Sequence, residues 1–436
     1  MSASVESQVH SCRTGVALWL RNDYTFVRFA GPDTASWLHS QTTNDVDALE
    51  SGGGHSDAIL DRQGRLQGHF TLHRWDDEYW MLIEKSQVDH TLQHLDDHKF
   101  IEEVEVEPSG DALEQLVIQG PKILPLLSHV MDSKDALGTE LLPAEWYGVH
   151  PIEIFGYEVL AFRLSMTGED GFVLVGEQGE CSSILGRLLE QEVDYPCVRL
   201  DPQAQTILRI ESGIPKFGVD MDTSHLIPET TLERNSISYE KGCYLGQEVV
   251  ARLKAYGTVK RALMGLQFSD GAPDALDRLA GAAISVEGKR VGHITSAALS
   301  PTLDTTIALA YLNRDHRTPD AILDAQIDGL DASVKLQVCV LPLHTASTRE
   351  EQAQALYTEA LDLFQADLDD SDESAIPLLK EALLLSPEFE DAYEVLGVIL
   401  NRHHRVDEAI YFMKHLKELN PNSIMAHTNL SVFYLA

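Results

Sequence analysis

Residues 240–252 read EKGCYLGQEVVAR, which places Cys243 between two glycines, with a lysine before it and a Gln-Glu pair after it. Glycines let a backbone turn tightly and let a ligand approach it closely. Lys241, followed by Arg252, Lys254, Lys260 and Arg261, makes the densest basic stretch in the chain. Positive charge favours thiolate, the form of cysteine that attacks electrophiles and binds metals. Cys243 is therefore a candidate functional thiol. The alternative is a buried structural cysteine in a strand-turn, beside lysines that only solvate a surface. One cysteine alone cannot hold an iron–sulfur cluster.

Two changes of texture follow this segment. From about Thr258, "TVKRALMGLQF", "AAISVEGKRVGHITSAALS", "TIALAYL" and "ASVKLQVCVLPL" read as short strands separated by Gly, Asp and Pro. That pattern predicts a small β-barrel or sandwich over 258–345. Beyond "HTAST" the chain reads as helix over 350–436. There Ala375 and Ala409, Pro387 and Pro421, Ala392 and Ala426, and Leu396 and Leu430 recur at the tetratricopeptide period. Short arrays of this type bind peptides or proteins, so a protein or peptide partner is expected for the tail.

Working the other way, residues up to about 15 read as a loose leader, and 16–257 as one mixed region. "YTFVRFAG" alternates like a strand, and the next segment has Asp33 or Thr34 as a possible helix cap. "SGGGHSDAILDRQGRLQGHFTLHRWDDEYWMLIE" reads as three strands, "SQVDHTLQHLDDHKF" as a helix, and "LEQLVIQGPKILPLL" as a strand, a break and a helix. "EVLAFRLSMTGEDGFVLVG" gives two strands around a turn, and "DPQAQTILRIESG" opens a helix with an Asp cap. Strands and helices mixed without regular alternation predict an α+β class.

The chain of 436 residues carries 69 acidic against 33 basic residues, a formal charge of −36. This disfavours binding to nucleic acid and anionic lipid. The five cysteines are scattered and never spaced C-x-x-C, which suits a reducing compartment and argues against a local metal motif. With no signal-like or membrane-spanning apolar run, a cytoplasmic protein without a membrane is expected.

Two further constellations stand out. In "TGEDG", Glu169 and Asp170 offer carboxylates; one of these can accept two parallel hydrogen bonds from an amino-pyrimidine edge, or the turn is simply solvated. His90, His94 and His98 fall at four-residue steps on one helix, either as metal ligands or as a wet face. "SGGGH" lacks the residues of a phosphate-binding loop.

Taken together, "KGCYLGQE" resembles the signature of YgfZ-type folate-binding proteins, relatives of the glycine-cleavage T protein, an aminomethyltransferase. The likeness extends from about Asn22 to Leu343 through "GPDTASWLHSQTTNDV", "VIQGP", "TGEDGF", "LRIESGIPKFGVDM" and "GHITSAALSPTLDTTIALAYL". It implies a ring-like α+β folate-binding region and a small β-barrel; the helical tail is outside the usual pattern. It also implies tetrahydrofolate or a derivative as cofactor, and iron–sulfur client or assembly proteins as partners. Glu169 resembles the carboxylate that grips the pterin, and Cys243 the signature cysteine. Lys241 and Arg252 are further candidates for cofactor binding, and no metal site is expected. The transferase carries paired aspartates, one catalytic, where this chain has Gly68 and His69. Loss of that carboxylate argues against aminomethyl transfer. The alternatives are a folate-dependent one-carbon transferase that uses another base, and a non-catalytic scaffold.

Overall fold

A computed structural model describes residues 3–131, 142–269, 276–328, 330, 332–366 and 371–434. The chain forms two compact units, residues 1–123 with 142–346, and residues 124–141 with 347–436.

The larger unit begins with helix α1 (Val5–Thr14), strands β1 (Val16–Arg21) and β2 (Tyr24–Ala30), and helix α2 (Thr34–Gln41). Strands β3 (Gly54–Leu60), β4 (Leu66–Trp75) and β5 (Glu78–Glu84) follow, then α3 (Val88–Asp96), β6 (Glu105–Pro108) and β7 (Leu113–Gln119). Helix α4 (Ile123–Val130) spans the boundary between the units. The next elements are β8 (Val149–Ile154), β9 (Tyr157–Arg163), β10 (Gly171–Glu177), α5 (Glu180–Leu189) and β11 (Cys197–Arg199). Helices α6 (Pro202–Glu211), α7 (Glu233–Ser236) and α8 (Gln247–Tyr256) lead to the barrel.

Two sheets share this region. One has the order β11-β1-β7-β10-β9-β8, and the other the order β3-β4-β5-β2-β6. Strand alternation gives each a face toward a common core, where Trp19, Phe26, Leu82, Val117, Phe162 and Val173 are buried together. The opposite face of the second sheet packs Val27, Phe29, Phe70 and Met81 against Trp37, Leu38 and Leu95 of its helices.

Strands β12 (Arg261–Phe268), β13 (Ala283–Val286), β14 (Lys289–Ser300), β15 (Thr305–Asn313), β16 (Ile322–Ile327) and β17 (Val334–Cys339) close into a barrel. Ala308, Ala310 and Leu312 fill its interior, while Ile307, Leu309 and Tyr311 face outward into the common core.

The second unit contains α9 (Arg349–Ala366), α10 (Ser371–Leu385), α11 (Glu390–Arg402), α12 (Val406–Leu419) and α13 (Ile424–Phe433). The alanines at 375, 392, 409 and 426 are fully buried, as is Leu396, so the repeating apolar positions are those where helices meet closely, while Pro387 and Pro421 are exposed.

The N-terminal leader is not loose. Residues 5–14 form α1, capped by Ser4, whose Oγ accepts from the Ser7 amide at 3.2 Å. Buried polar contacts hold it: Gln8 Nε2 donates to Asp201 Oδ2 at 3.0 Å, and Gln8 Oε1 accepts from the Asp201 amide at 2.7 Å. Asp201 caps α6 as expected, through the Ala204 amide at 2.9 Å. Asp33 does take the cap position of α2, but its side chain accepts from the Glu103 amide instead, at 2.8 Å.

Candidate functional site

Glu169 lies in the turn between β9 and β10 and is 3% exposed. Its Oε1 accepts from Arg13 Nη1 at 2.8 Å, and Arg13 Nη2 donates to Glu211 Oε2 at 2.6 Å. Glu211, at the end of α6, also accepts from Ser300 Oγ at 2.6 Å and Thr302 Oγ1 at 3.1 Å. His344 Nε2 stands 3.8 Å from Glu169 Oε1. Two buried carboxylates therefore share one guanidinium. Burial works to lower the Arg13 pKa, but hydrogen bonding and charge from Glu211 and Glu169 outweigh it, and the net shift is upward.

Along the seam between the two sheets, Arg21 of β1 is in register with Gln115 of β7, and Tyr24 of β2 with Glu84 of β5. The Arg21 guanidinium lies 3.1 Å from the centre of the Tyr24 ring. Arg21 Nη1, Glu84 Oε2, Gln115 Oε1 and Trp80 Nε1 are buried and have no hydrogen-bond partner among the described residues. Burial lowers the Arg21 pKa and raises that of Glu84. Such orphans are uncommon, because each costs about 1–3 kcal/mol. A pterin, with donors and acceptors around a flat ring, suits unpaired donors and acceptors set among Tyr24, Phe26 and Trp80. The residues present fit a folate.

Gly68 and His69 follow the start of β4. A Cβ at Gly68 would meet Thr91 Oγ1 at 2.6 Å, so an aspartate there would require Thr91 to shift. His69 Nε2 lies 3.0 Å from Ser56 Oγ and 3.4 Å from Ser236 Oγ. Burial pushes its pKa down to about 4, which makes it neutral at pH 7. Neither position supplies negative charge.

The segment around Cys243 is fixed by the side chains on either side of it. Lys241 Nζ donates to the carbonyls of His39 (2.6 Å), Thr42 (2.8 Å) and Asn44 (2.6 Å), at the C-terminal end of α2. A cation at this end of a helix satisfies carbonyls that the helix leaves open. Burial lowers the Lys241 pKa to about 8, against the opposing pull of Asp57, Asp45 and Asp47. Tyr244 is buried in a cluster with Ala58, Leu60 and Val250. Gly246, at φ 84°, starts α8; a Cβ there would come within 2.5 Å of the Asp61 carbonyl oxygen. Cys243 alone of the five cysteines is exposed. Burial pushes the thiols of Cys12 and Cys181 up to about 12, and that of Cys197 to about 11.

The basic stretch read from the sequence is not one patch. Lys241 is spent on carbonyls, Lys254 lies over the Tyr239 ring at 3.1 Å, Arg261 pairs with Glu229, and Arg252 is exposed on α8. No hydrogen bond or ion pair among the described residues joins the Glu169 cluster to the Cys243 segment. His90 and His94 of α3 and His98 just beyond it do not converge either. His90 bonds Gln67, His94 and His98 lie ring to ring at 4.6 Å, and no group of three metal-ligating side chains occurs among the described residues. Arg13 and Glu211 went unread in the sequence. The signal in the sequence was Ser4 as a cap, immediately ahead of a helix carrying Val9 and Cys12 inward.

Residues 1–236 match the GCVT N-terminal domain, and residues 261–344 the glycine cleavage T-protein C-terminal barrel domain. The chain belongs to this family. It is 26% identical to an aminomethyltransferase of Koribacter versatilis over 74% of this chain and 83% of that one. It is 24% identical to the Bacillus subtilis aminomethyltransferase over 74% and 87% of the two chains. The crystal structure of glycine cleavage system aminomethyltransferase T from Bartonella henselae shares the fold, with a TM-score of 0.66 at 21% identity, covering 79% of this chain and 90% of that one. The family's aminomethyltransferases use tetrahydrofolate, in agreement with the folate expected from the sequence. At family level the function is folate-related one-carbon transfer. No described helix is long and apolar enough to cross a membrane.

Proposed function

We propose that this chain is a tetrahydrofolate-binding protein of the YgfZ branch that supports assembly or repair of iron–sulfur enzymes in the cytoplasm. The observation that carries this reading is the exposed thiol of Cys243, held between the buried anchors Lys241 and Tyr244. A rigid mount with an open thiol suits transient ligation or exchange with a partner. Glu169 would hold the pterin. When bound, the folate supplies a carrier for one-carbon units. Lys241 acts in this reading as a positioning residue, and Arg252 as a surface charge beside the segment. The helices of 350–436 would form a tetratricopeptide-type module that docks a protein or peptide. Tetrahydrofolate titration of the purified protein, alongside iron–sulfur enzyme activities in cells carrying Cys243→Ser, tests the reading. Folate binding with normal iron–sulfur enzymes in the variant would defeat the thiol's role.

A second reading, a folate-dependent aminomethyl or methyl transferase, is favoured by the names of the relatives. Against it stand Gly68, which offers no carboxylate, and the neutral His69. Formation of methylene-tetrahydrofolate from an aminomethyl-lipoyl carrier would decide for it.

A further inference from the structure

The outer face of the barrel carries a cavity of about 280 Å³ lined by Arg261, Arg290, Gly292, His293, Tyr311 and Asn313. Strand register assembles it: Arg261 of β12 pairs with Asn313 of β15, and Tyr311 of β15 with His293 of β14. A Cβ at Gly292 would lie 2.2 Å from the Tyr311 carbonyl oxygen, so this strand pairing needs the glycine. The rings of His293 and Tyr311 stack at 5.6 Å with 20° between their planes. The Arg261 guanidinium lies 5.1 Å from the same ring.

Charge and hydrogen bonding in this corner are unbalanced. Arg261 is paired with Glu229 at 3.1 Å, whereas Arg290, exposed at the rim, has no ion pair among the described residues. The Tyr311 hydroxyl belongs to a residue 1% exposed and has no hydrogen-bond partner. His225 packs on Tyr311 at 4.7 Å, and its Nε2 is likewise buried without a partner. Burial lowers the His293 pKa, and the guanidiniums of Arg261 and Arg290 lower it further. Glu229, Asp220 and Asp222 also lie near Tyr311, so the charge left unbalanced at this cavity is that of Arg290 at its rim, in a chain with a formal charge of −36. Arginine forks recognise oxyanions through charge-assisted, often bidentate hydrogen bonds. The volume sits near the lower end for small-molecule sites, larger than a bare phosphate requires.

We propose that this cavity binds the phosphate group of a small phosphorylated metabolite, with Arg290 and Arg261 on the oxyanion and the stacked His293 ring against the organic part. The assignment is independent of the folate reading, since none of these side chains belongs to the sheet seam or to the Glu169 cluster.

Calorimetric titration of the full chain with inorganic phosphate and pyrophosphate tests it, with acetate as the carboxylate arm. Saturable phosphate binding is expected, weakened about tenfold to a hundredfold in Arg290→Ala. Lys289→Ala removes the same charge from a neighbour outside the cavity and should leave binding unchanged. In histidine-detected NMR, phosphate should raise the His293 pKa, because an anion offsets the two guanidiniums. Absence of saturable binding overturns the proposal, as does equal weakening by Lys289→Ala, which would mark diffuse charge attraction. Tighter binding of acetate than phosphate overturns the phosphate assignment.

Discussion

The Glu169 cluster and the Cys243 segment both bury a cation, but to opposite ends. Around Glu169, Arg13 is enclosed by two carboxylates and the charges face one another. Around Cys243, the buried Lys241 ends on neutral carbonyls while the thiol two residues on is left to solvent. The first arrangement concentrates hydrogen-bonding power at one point inside the fold. The second uses a buried charge as a mount for an outward group. A binding function should therefore be sensitive at Glu169, and a surface chemistry at Cys243.

The largest effect should come from Arg13→Ala, which strands two buried carboxylates. A loss of about 3–5 kcal/mol in urea-induced unfolding is expected. A loss below the usual surface range would mean that the cluster hydrates freely. Lys241→Met should cost about 2–4 kcal/mol, since three inward carbonyls lose a charged donor. If that variant keeps its stability, the mount described for Cys243 is not rigid.

Glu169→Gln sharpens the contrast from the binding side. Tetrahydrofolate affinity should fall about tenfold to a hundredfold, as expected for losing a charge-assisted hydrogen bond. Unchanged affinity would assign the pterin to other residues.

Acidification probes the common core. Burial pushes the His73 pKa down to about 3, and its Nδ1 lies 2.9 Å from the Tyr147 carbonyl oxygen. The unfolded chain takes up this proton below about pH 6.5 and the folded chain does not. Stability is therefore complete above that pH and falls by up to about 1.4 kcal/mol per pH unit toward pH 3. His73→Gln should flatten that slope in pH-dependent denaturation curves. The smallest effect belongs to Cys243→Ser: an exposed position should shift stability by less than about 0.5 kcal/mol, while any role in iron–sulfur enzyme activity is lost.

What could be read from the sequence follows the range of the forces involved. The strands at 24–30 and 261–268, and the Asp201 cap, rest on alternation or on contacts a few residues apart, and they were legible. Helix α1 was not, because only Val9 and Cys12 of its buried face are apolar and the rest of that face is polar. Gln8 and Ser11 are enclosed through hydrogen bonds, and a hydrophobic pattern carries no trace of them. Arg13 was invisible for a related reason, since its partners lie 156 and 198 positions along the chain. Lys241 was read as part of a charged surface, and only the three-dimensional path of residues 39–44 turns it inward. Cys243 stood out because its glycine neighbours are adjacent in sequence.

Helix α1 also sets the order in which this unit can mature on the ribosome. Its partner Asp201, and the Glu211 that closes on Arg13, leave the exit tunnel roughly 200 residues later. At about 5–20 residues per second, that is on the order of 10–40 s of synthesis. For most of that interval the helix lacks α6 to pack on, and Arg13 lacks both of its carboxylates. A segment made well before its partners is thus among the last to be locked in place. The folate-binding region should gain protease resistance in a single late step, not domain by domain from its N-terminus.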